Sequence, residues 1–362
     1  MSLNSSKHYD LFISPTHYYQ TYVVCCLSVI INSTLIYAIL CEPHQTIGSY
    51  KYILLSFAAF DISYSIVDAI VKPALHSVDA AFMVITAGGP FAYPAPWGAI
   101  GPTLFCTFFS ISFTILALHF VYRYISICHA RFMFLFTRQY AIIWFIAVAI
   151  LGLDYGLSVW FTMYPSKEIY EVADETIQNL YNITSRNLGF IGPLYFTIKE
   201  NGSYEIYWRD SLGLVNLILI ENITLDIILY CGYKVHKTLN KFSNLLSDQT
   251  RALQRQLFIA LLVQTVIPLF FAYIPCWIVF VGPIFQVSFD WLSNNLLISA
   301  VMCFPMVDSL AILYFVKDFR RTLLQKVSKI LGCELSKKTS NSNQHTFSKI
   351  HLNQNQVSPE NG

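Results

Sequence analysis

Long apolar stretches alternate with short polar segments along almost the whole chain. A helix of about 20 apolar residues crosses the hydrocarbon core of a bilayer. Apart from Lys51, at the edge of the second stretch, none of these stretches contains a lysine or an arginine. Because a basic side chain at the bilayer centre costs about 2.5–3.5 kcal/mol, the pattern predicts seven membrane-spanning helices. They cover residues 18–41, 51–71, 99–121, 139–163, 211–233, 257–281 and 291–316.

Residues 76–98 are ambiguous, because an apolar run at 80–85 is followed closely by two glycines and three prolines. Lipid-exposed backbone does not tolerate such interruptions, since every amide in the bilayer must be hydrogen-bonded within the protein. We therefore predict a structured loop with a short hairpin here, and not an eighth span.

The basic residues fix the expected orientation of the spans. Over the whole chain, 17 lysines and arginines fall on one side of the membrane and six on the other. Since lysine and arginine favour the cytoplasm, the N-terminus is predicted to lie outside and the C-terminus inside. The sequons at Asn4, Asn182 and Asn201 fall on the predicted outer side and are candidate glycosylation sites.

The chain is therefore predicted to be one seven-helix membrane domain, 18–316, with polar ends. Residues 1–17 lack the basic segment of a cleaved signal peptide, so the first span should remain as an anchor. Residues 317–336 alternate basic and apolar positions with helical spacing, which predicts a helix lying along the inner leaflet. Cys333 at its end is a candidate for palmitoylation. Residues 337–362 are rich in Ser, Asn and Gln and are predicted to be disordered.

Composition supports an all-helical membrane protein, since 55% of the residues are hydrophobic and 12% are charged. A soluble domain carries about 25% charged residues. The nine cysteines lie mostly in or beside apolar segments, which favours buried thiols over disulfides. The sequence has no C-x-x-C pair, glycine-rich phosphate loop or G-x-S-x-G motif. We expect no catalysis, no metal, no cofactor and no nucleic-acid partner.

Six acids lie within the predicted spans, where ionisable groups are expensive and normally face the bundle interior. Asp61 and Asp68 are two helical turns apart and share one helix face, with His119, Asn294, Asn295 or water as candidate partners. These acids either fix helix packing by hydrogen bonds or form a polar network that rearranges between two states. The expected network consists of Asp61, Asp68, His119, Asp154, Glu221 and Asp226, with Asp308 beside Pro305 in the seventh span.

A second group of residues marks the inner end of the bundle. Tyr122, Arg123 and Tyr124 end the third span, where the obligate cation could bind lipid phosphates or a partner protein. Pro268 and Pro275 each remove a backbone hydrogen bond from the sixth span and permit a kink. A kinked helix can convert a small movement near its outer end into a larger one at its inner end.

The segment 165–210 is the longest predicted outer loop, with seven acids, four basic residues and no cysteine. We interpret it either as a glycosylated cover over the bundle or as a lid for a ligand. Cys106, near the outer end of the third span, has no cysteine partner in this loop.

Four longer motifs resemble the nematode Str-class serpentine chemoreceptors, the group that includes the diacetyl odorant receptor. They read GSYKYILLSF at 48–57, HFVYRY at 119–124, RALQRQLFIALLVQTVIP at 251–268 and FPMVDSLAILYFVKDFRR at 304–321. The resemblance covers nearly the whole chain. One departure is Ser309, where the family more often has proline after the acid.

The resemblance implies a seven-helix G-protein-coupled receptor in the ciliary membrane of sensory neurons. It implies a small volatile or soluble ligand, used for chemotaxis or avoidance, and help from trafficking factors to reach the cilium. Arg123 would occupy the position of the third helix that faces Gα, together with the 234–256 loop. The alternatives are a peptide receptor, suggested by the acidic outer loop, a ligand-gated channel, and a transporter, for which the sequence lacks the usual repeat.

Replacing Asn182 and Asn201 by Gln is expected to lower the apparent mass of the expressed protein on a denaturing gel, because both sequons should be glycosylated outside the cell. Asn222→Gln, at a sequon inside the fifth span, is the control and should leave the mass unchanged. An unchanged mass in the double variant would contradict the outer placement of this loop.

Overall fold

In the computed structural model, the residues described are 15–41, 50–137, 139–181, 183–241, 248–287 and 296–330. Asn4, Asn182, Asn294, Asn295 and Cys333 lie outside them, as do most of the tail residues. The helices are α1 (Pro15–Cys41), α2 (Tyr50–Val71), α3 (Trp97–Cys128), α4 (Ala141–Thr162), α5 (Lys167–Tyr181), α6 (Trp208–Lys241), α7 (Asp248–Pro268), α8 (Ile274–Val281), α9 (Ile298–Phe315) and α10 (Lys317–Ile330). The strands are β1 (Pro73–Val78), β2 (Ala81–Thr86), β3 (Phe190–Ile191), β4 (Phe196–Ile198) and β5 (Tyr204–Ile206).

Six of the helices, α1, α2, α3, α4, α6 and α9, are each long and apolar enough to cross a membrane. The sixth predicted span is built from three consecutive pieces: α7, a π-helical turn at Leu269–Tyr273, and α8. Pro268 precedes the π turn and Pro275 lies in the first turn of α8. Since neither proline has an N–H to donate, the regular ladder is interrupted here. The prediction of seven apolar helices in one bundle is confirmed.

Helix α3 lies at the centre of the bundle. It packs against α2, α4, α6 and α7, while α9 packs against α1, α2 and α7. Helices α3 and α4 approach closely because α4 presents glycine to α3. A Cβ atom on Gly156 would lie 2.6 Å from the Thr107 hydroxyl oxygen, and one on Gly152 would lie 2.6 Å from Ile111. Larger side chains at these positions would force the two helices apart.

The predicted hairpin after the second span exists and forms part of a sheet over the bundle. Strands β1 and β2 pair antiparallel, and β3 from the long loop adds to the free edge of β2. Helix α5 packs on the far side of this sheet. We call β1, β2, β3 and α5 the outer lid. The prediction that the long loop folds over the mouth of the bundle is confirmed.

The lid sheet has two covered faces. Phe82 and Val84 of β2 join the core of the bundle, whereas Met83 and Ile85 join a separate core with α5. Successive side chains of a strand point to opposite faces, so burial on both sides explains why every residue of β2 is buried. The lid is therefore a packed layer with a core of its own.

Backbone hydrogen bonds hold the lid on the bundle. The Gly192 N–H donates to the Met163 carbonyl at the end of α4 (2.8 Å), and the Tyr195 N–H donates to the Ala80 carbonyl (3.0 Å). The Leu194 N–H donates to the Asp210 carboxylate in the first turn of α6 (2.9 Å). The eight cysteines within the described residues, Cys106 among them, are all thiols. Strand pairing, and not a disulfide among these residues, fixes the long loop.

The other end of the bundle, which carries most of the basic residues, is called the inner end. A 3₁₀ segment, Ala130–Phe136, follows α3 there, and α10 follows α9 directly. Phe319 of α10 is fully buried against α1 and α2 residues such as Leu35 and Leu54. Leu323 packs against the same cluster. Together with Val327 and Ile330, these residues have the helical spacing expected of one apolar face. The side chains of Val327 and Ile330 lie outside the described set.

Candidate functional site

A partly open apolar cavity of about 80 Å³ lies directly beneath the outer lid. Its walls come from α3, α4, α6, α8 and α9, and its roof comes from β1 and β2. The lining residues are Leu75, Phe82, Val84, Phe105, Cys106, Phe109, Tyr155, Val159, Met163, Leu217, Cys276, Val279, Phe280, Leu297, Ile298 and Val301. A cavity of about 150 Å³ with such walls stays dry and accepts benzene. This cavity therefore suits a compact molecule smaller than benzene.

The lid and α8 are joined at the edge of the cavity. The Tyr195 hydroxyl donates a hydrogen bond to the Phe280 carbonyl (3.1 Å), and the Phe280 ring packs against Phe82 with 5.5 Å between centroids. Burial raises the pKa of Tyr195 well above its ordinary value, so the hydroxyl keeps its proton and remains a donor. A movement of the lid is thus transmitted to α8.

A polar corner adjoins the apolar cavity. Tyr155 and Cys276, which line it, both contact Oε1 of Glu221: the Tyr155 hydroxyl donates at 3.0 Å and the Cys276 thiol at 3.8 Å. Glu221 is 2% exposed, and its Oε2 has no hydrogen-bond partner within the described residues. Buried polar atoms are rarely left unpaired in native proteins, so this oxygen requires an explanation.

A second polar cluster joins α1, α2 and α9 at the middle of the bundle. The Asn32 amide donates to the Pro305 carbonyl (3.1 Å) and to the Ser28 carbonyl (2.9 Å), and its oxygen accepts a hydrogen bond from Ser309. The Ser65 hydroxyl donates to Ser28 (2.7 Å). These side-chain hydrogen bonds connect α1 to α2 and to α9 beside Pro305.

Asp61 and Asp308 lie beside this cluster and are both fully buried. They are close enough to interact electrostatically. None of their four carboxyl oxygens has a hydrogen-bond partner among the residues that the structure describes. Such an arrangement is costly in an apolar interior. It places two acids where α2 meets α9.

At the inner end, Arg123 is 2% exposed and does not reach solvent. Its guanidinium carbon lies 4.0 Å from the centroid of the Tyr50 ring, which is a close cation–π contact. Its Nη1 donates to the Gln254 side-chain oxygen of α7 (2.8 Å), while Nε and Nη2 have no partner in the described part of the chain. Arg123 therefore links α3, α2 and α7.

The aromatic neighbours of Arg123 complete this inner cluster. Tyr122 stacks on Tyr50 with 5.0 Å between centroids and meets Phe136 edge to face at 4.9 Å. His119 Nδ1 lies 3.3 Å from the Tyr50 hydroxyl. Tyr124 points elsewhere, and its hydroxyl lies 2.9 Å from His129 Nε2. The cation is thus enclosed by aromatic rings and exposed to no lipid phosphate in this conformation.

Comparison with known protein families shows which family this chain belongs to. The family model described as "Serpentine type 7TM GPCR chemoreceptor Str" matches residues 17–324, from the start of the first helix to the tail helix. The chain belongs to this family. The resemblance read from the four sequence motifs is confirmed.

Curated relatives of this Str receptor agree with that assignment. "Serpentine receptor class r-10" of Caenorhabditis elegans is 33% identical over 281 residues, covering 77% of this chain and 81% of the relative. Its Caenorhabditis briggsae counterpart is 30% identical over 283 residues, covering 78% and 82%. "G-protein coupled receptor str-33" of Caenorhabditis elegans is 25% identical over 300 residues, covering 82% and 87%.

A solved structure shows the same fold. The crystal structure of squid rhodopsin superposes with a TM-score of 0.58 and covers 99% of this chain and 94% of its own. The sequence identity is 11%, so the comparison supports the seven-helix architecture of this Str receptor and carries no argument about its ligand.

The structure does not gather all the predicted acids of this Str receptor in the interior. Asp61, Asp68, Glu221 and Asp308 are buried, but Asp154 and Asp226 are exposed on the outer faces of α4 and α6. The expectation that in-span acids face inward is wrong for these two. Asp226 follows Glu221 by five residues, or about 140° around a helix, so both cannot face the core. Asp154 lies 3.4 Å from the Asn216 amide.

Two elements of the site were not found from the sequence. Gln254 was part of a recognised motif, but its contact with Arg123 depends on how α7 lies against α3. Tyr155 adjoins the acid that was singled out at 154, and it is Tyr155 that faces Glu221. The helical phase of α4, with Gly152 and Gly156 on the buried side, was the signal that could have identified it.

Asn32→Ala is expected to destabilise the purified receptor by about 1–3 kcal/mol, because it leaves the Pro305 carbonyl and the Ser309 hydroxyl without their partner. Thermal unfolding in detergent measures the effect. Asn222→Ala is the matched control, since Asn222 bonds only the Ile218 carbonyl of its own helix. Equal loss of stability in the two variants would show that the hydrogen bonds between α1 and α9 stabilise the receptor no more than a hydrogen bond within one helix.

Proposed function

We propose that this Str receptor is a chemosensory receptor that binds a small molecule in the cavity beneath the outer lid. Binding would activate a heterotrimeric G protein at the inner end. The observation that carries the proposal is that one helical run, α7 to α8, contributes to both places. Cys276, Val279 and Phe280 line the cavity, and Gln254 of the same run binds Arg123. The two sites are about 33 Å apart along the helix at 1.5 Å per residue.

The π turn lies between these two sites and is held on both sides. The Tyr273 hydroxyl lies 3.1 Å from the Thr224 hydroxyl of α6, and its ring lies 4.1 Å from that of Phe113 of α3. Prolines and π turns are common causes of bends in helices. A ligand that pushes on α8 would alter the bend and draw the inner end of α7 away from Arg123.

The state described here fits a resting receptor. Arg123 is enclosed by Tyr50, Tyr122 and Gln254 and cannot contact another protein. Separation of α7 would remove its one side-chain hydrogen bond and open the inner surface to Gα. A ligand can drive this change only if it binds the two arrangements with different affinity, which a cavity lined by several helices allows because its shape changes with them.

The cavity argues against the peptide alternative. A volume of about 80 Å³ is too small for a peptide, whereas a small volatile or soluble odorant fits. Apolar walls suit such ligands, since burial must supply much of their affinity. We also propose a plasma-membrane location in sensory cilia, with the outer lid outside the cell. The basic inner end and the exposed sequon at Asn201 support that orientation.

The ligand site is tested by screening a chemical panel on cells that express the receptor with a permissive Gα. A compound that activates the wild type should lose at least tenfold in potency on Val279→Phe, because the larger ring fills the cavity. Val266→Phe, the same change at a lipid-facing position of α7 that is 51% exposed, should respond like the wild type. Full potency in the cavity variant would place the ligand elsewhere.

Arg123→Ala is expected to abolish signalling while surface expression stays intact, since the cation would no longer be available to Gα. Gln254→Leu should raise basal signalling, because it removes the bond that holds α7 to α3. Arg131→Ala, at an exposed position of the 3₁₀ segment, is the matched control for loss of an inner-end cation. Both effects are read from second-messenger output normalised to surface receptor, and unchanged output in the first two variants would remove this cluster from the mechanism.

A further inference from the structure

Asp154 faces outward from the middle of α4, and neither the cavity nor the cluster around Arg123 accounts for it. The residue is exposed on the surface of the bundle. It lies eight residues before the outer end of α4 at Thr162, which is about 12 Å along a helix. An ionisable group at such a depth is costly in hydrocarbon and is normally covered by protein. The position therefore points to a cover supplied by a neighbouring molecule within the bilayer.

Within the described residues, Asp154 contacts a dipole and no cation. Its Oδ2 lies 3.4 Å from the amide nitrogen of Asn216 on α6, and the same amide donates to the Ser158 hydroxyl at 2.7 Å. None of the ion pairs in this part of the chain involves Asp154. Arg209, two turns further out on α6, is paired with Asp210 at 2.8 Å. The receptor thus leaves this carboxyl group open to a cation from outside.

Asp154 lies within a regular row of exposed residues on α4. The row advances by alternate steps of four and three residues, which is the repeat by which helices pack side by side in left-handed pairs. We call the row the α4 seam, and its members, all exposed, are Ile143, Ala147, Ile150, Asp154, Leu157 and Phe161. Helix α4 is also the least buried of the six long apolar helices, so another helix has room to pack along it.

We propose that the α4 seam docks a membrane-spanning helix of another protein, and that a lysine or arginine in the middle of that helix forms an ion pair with Asp154. The apolar members of the seam pack against the helix. Asp154 sets its depth and selects its identity, as a single polar residue does in other helix–helix seams. The inference does not depend on the proposed ligand site, because no member of the seam lines the cavity.

A second copy of this receptor fits the seam less well than a helix with a basic residue. In a two-fold symmetric pair the same surface patch lies on both subunits, so Asp154 meets Asp154 where two seams pack in parallel. Apart from Lys51, at the edge of the second span, the predicted spans contain no lysine or arginine. A second copy therefore has no mid-bilayer cation to offer, and neither do the hydrocarbon chains of lipids.

The test uses the purified full-length receptor in lipid–detergent micelles and two leucine-rich peptides of about 21 residues, a length that spans the bilayer. One peptide carries a single arginine at its centre, and the other carries leucine there. Microscale thermophoresis measures the affinity of each fluorescently labelled peptide. The arginine peptide should bind about five- to thirtyfold more tightly, which is the range expected for one polar contact between spanning helices.

Variants assign that preference to Asp154. Asp154→Leu should abolish it, whereas Asp154→Glu keeps a carboxyl group and should retain it. Asp226→Leu is the matched control, because it removes the other outward-facing acid of the spans from α6, outside the seam, and it should behave like the wild type. Thermal unfolding shows whether each variant is folded. Asp154→Asn, which also removes the acid, keeps the test valid if the leucine variant is not folded.

Three results would overturn the inference. Equal affinity of the two peptides for the wild type would mean that the α4 seam simply faces lipid. A preference for arginine that survives in Asp154→Leu would place the contact at another residue. Dimers of the wild type that are lost in Asp154→Leu, measured by analytical ultracentrifugation, would assign the seam to a second copy. Each of these results leaves the proposed ligand cavity untouched, so the two proposals fail separately.

Discussion

The hydrocarbon core of a membrane offers no hydrogen-bond partner, and the structure depends on this constraint throughout. Each spanning helix satisfies its own backbone groups, and irregular backbone is tolerated only where protein covers it. The π turn in the sixth span obeys the rule, because it lies between α3 and α6 and not against lipid alone. The outer lid obeys it as well, since its strands exchange backbone hydrogen bonds and its two faces are both packed.

The same constraint turns buried polar side chains into connections between helices. Asn32 and Ser309 join α1 to α9, Glu221 and Tyr155 join α6 to α4, and Arg123 and Gln254 join α3 to α7. The first two contacts are buried and the third is partly buried, so breaking any of them leaves polar groups in a largely apolar surrounding. The bundle consequently has a few well-defined arrangements and not a continuum, which is the property that a receptor needs in order to switch.

Family membership and geometry explain different parts of the function. The family assigns a seven-helix chemoreceptor, and the squid rhodopsin comparison supports the same architecture at 11% identity. Neither says where the ligand lies. The apolar cavity, its polar corner and the shared helical run between the cavity and Arg123 come from the packing of this chain. They add to the family assignment the cavity beneath the outer lid, the bend at the π turn and the cluster of residues around Arg123.

The sequence by itself determined the seven-helix bundle, the hairpin and the position of Arg123 near the end of the third helix. These depend on local properties, namely the length of apolar runs, the spacing of glycine and proline, and the placement of cations. Only the tertiary structure decided which polar groups meet. Asp154 and Asp226 face outward, while Tyr155 and Gln254 reach Glu221 and Arg123, because the rotation of each helix about its axis is set by packing against its neighbours. Hydrophobicity is nearly uniform around a spanning helix. The sequence therefore indicates how long the helix is but not which of its sides faces the core.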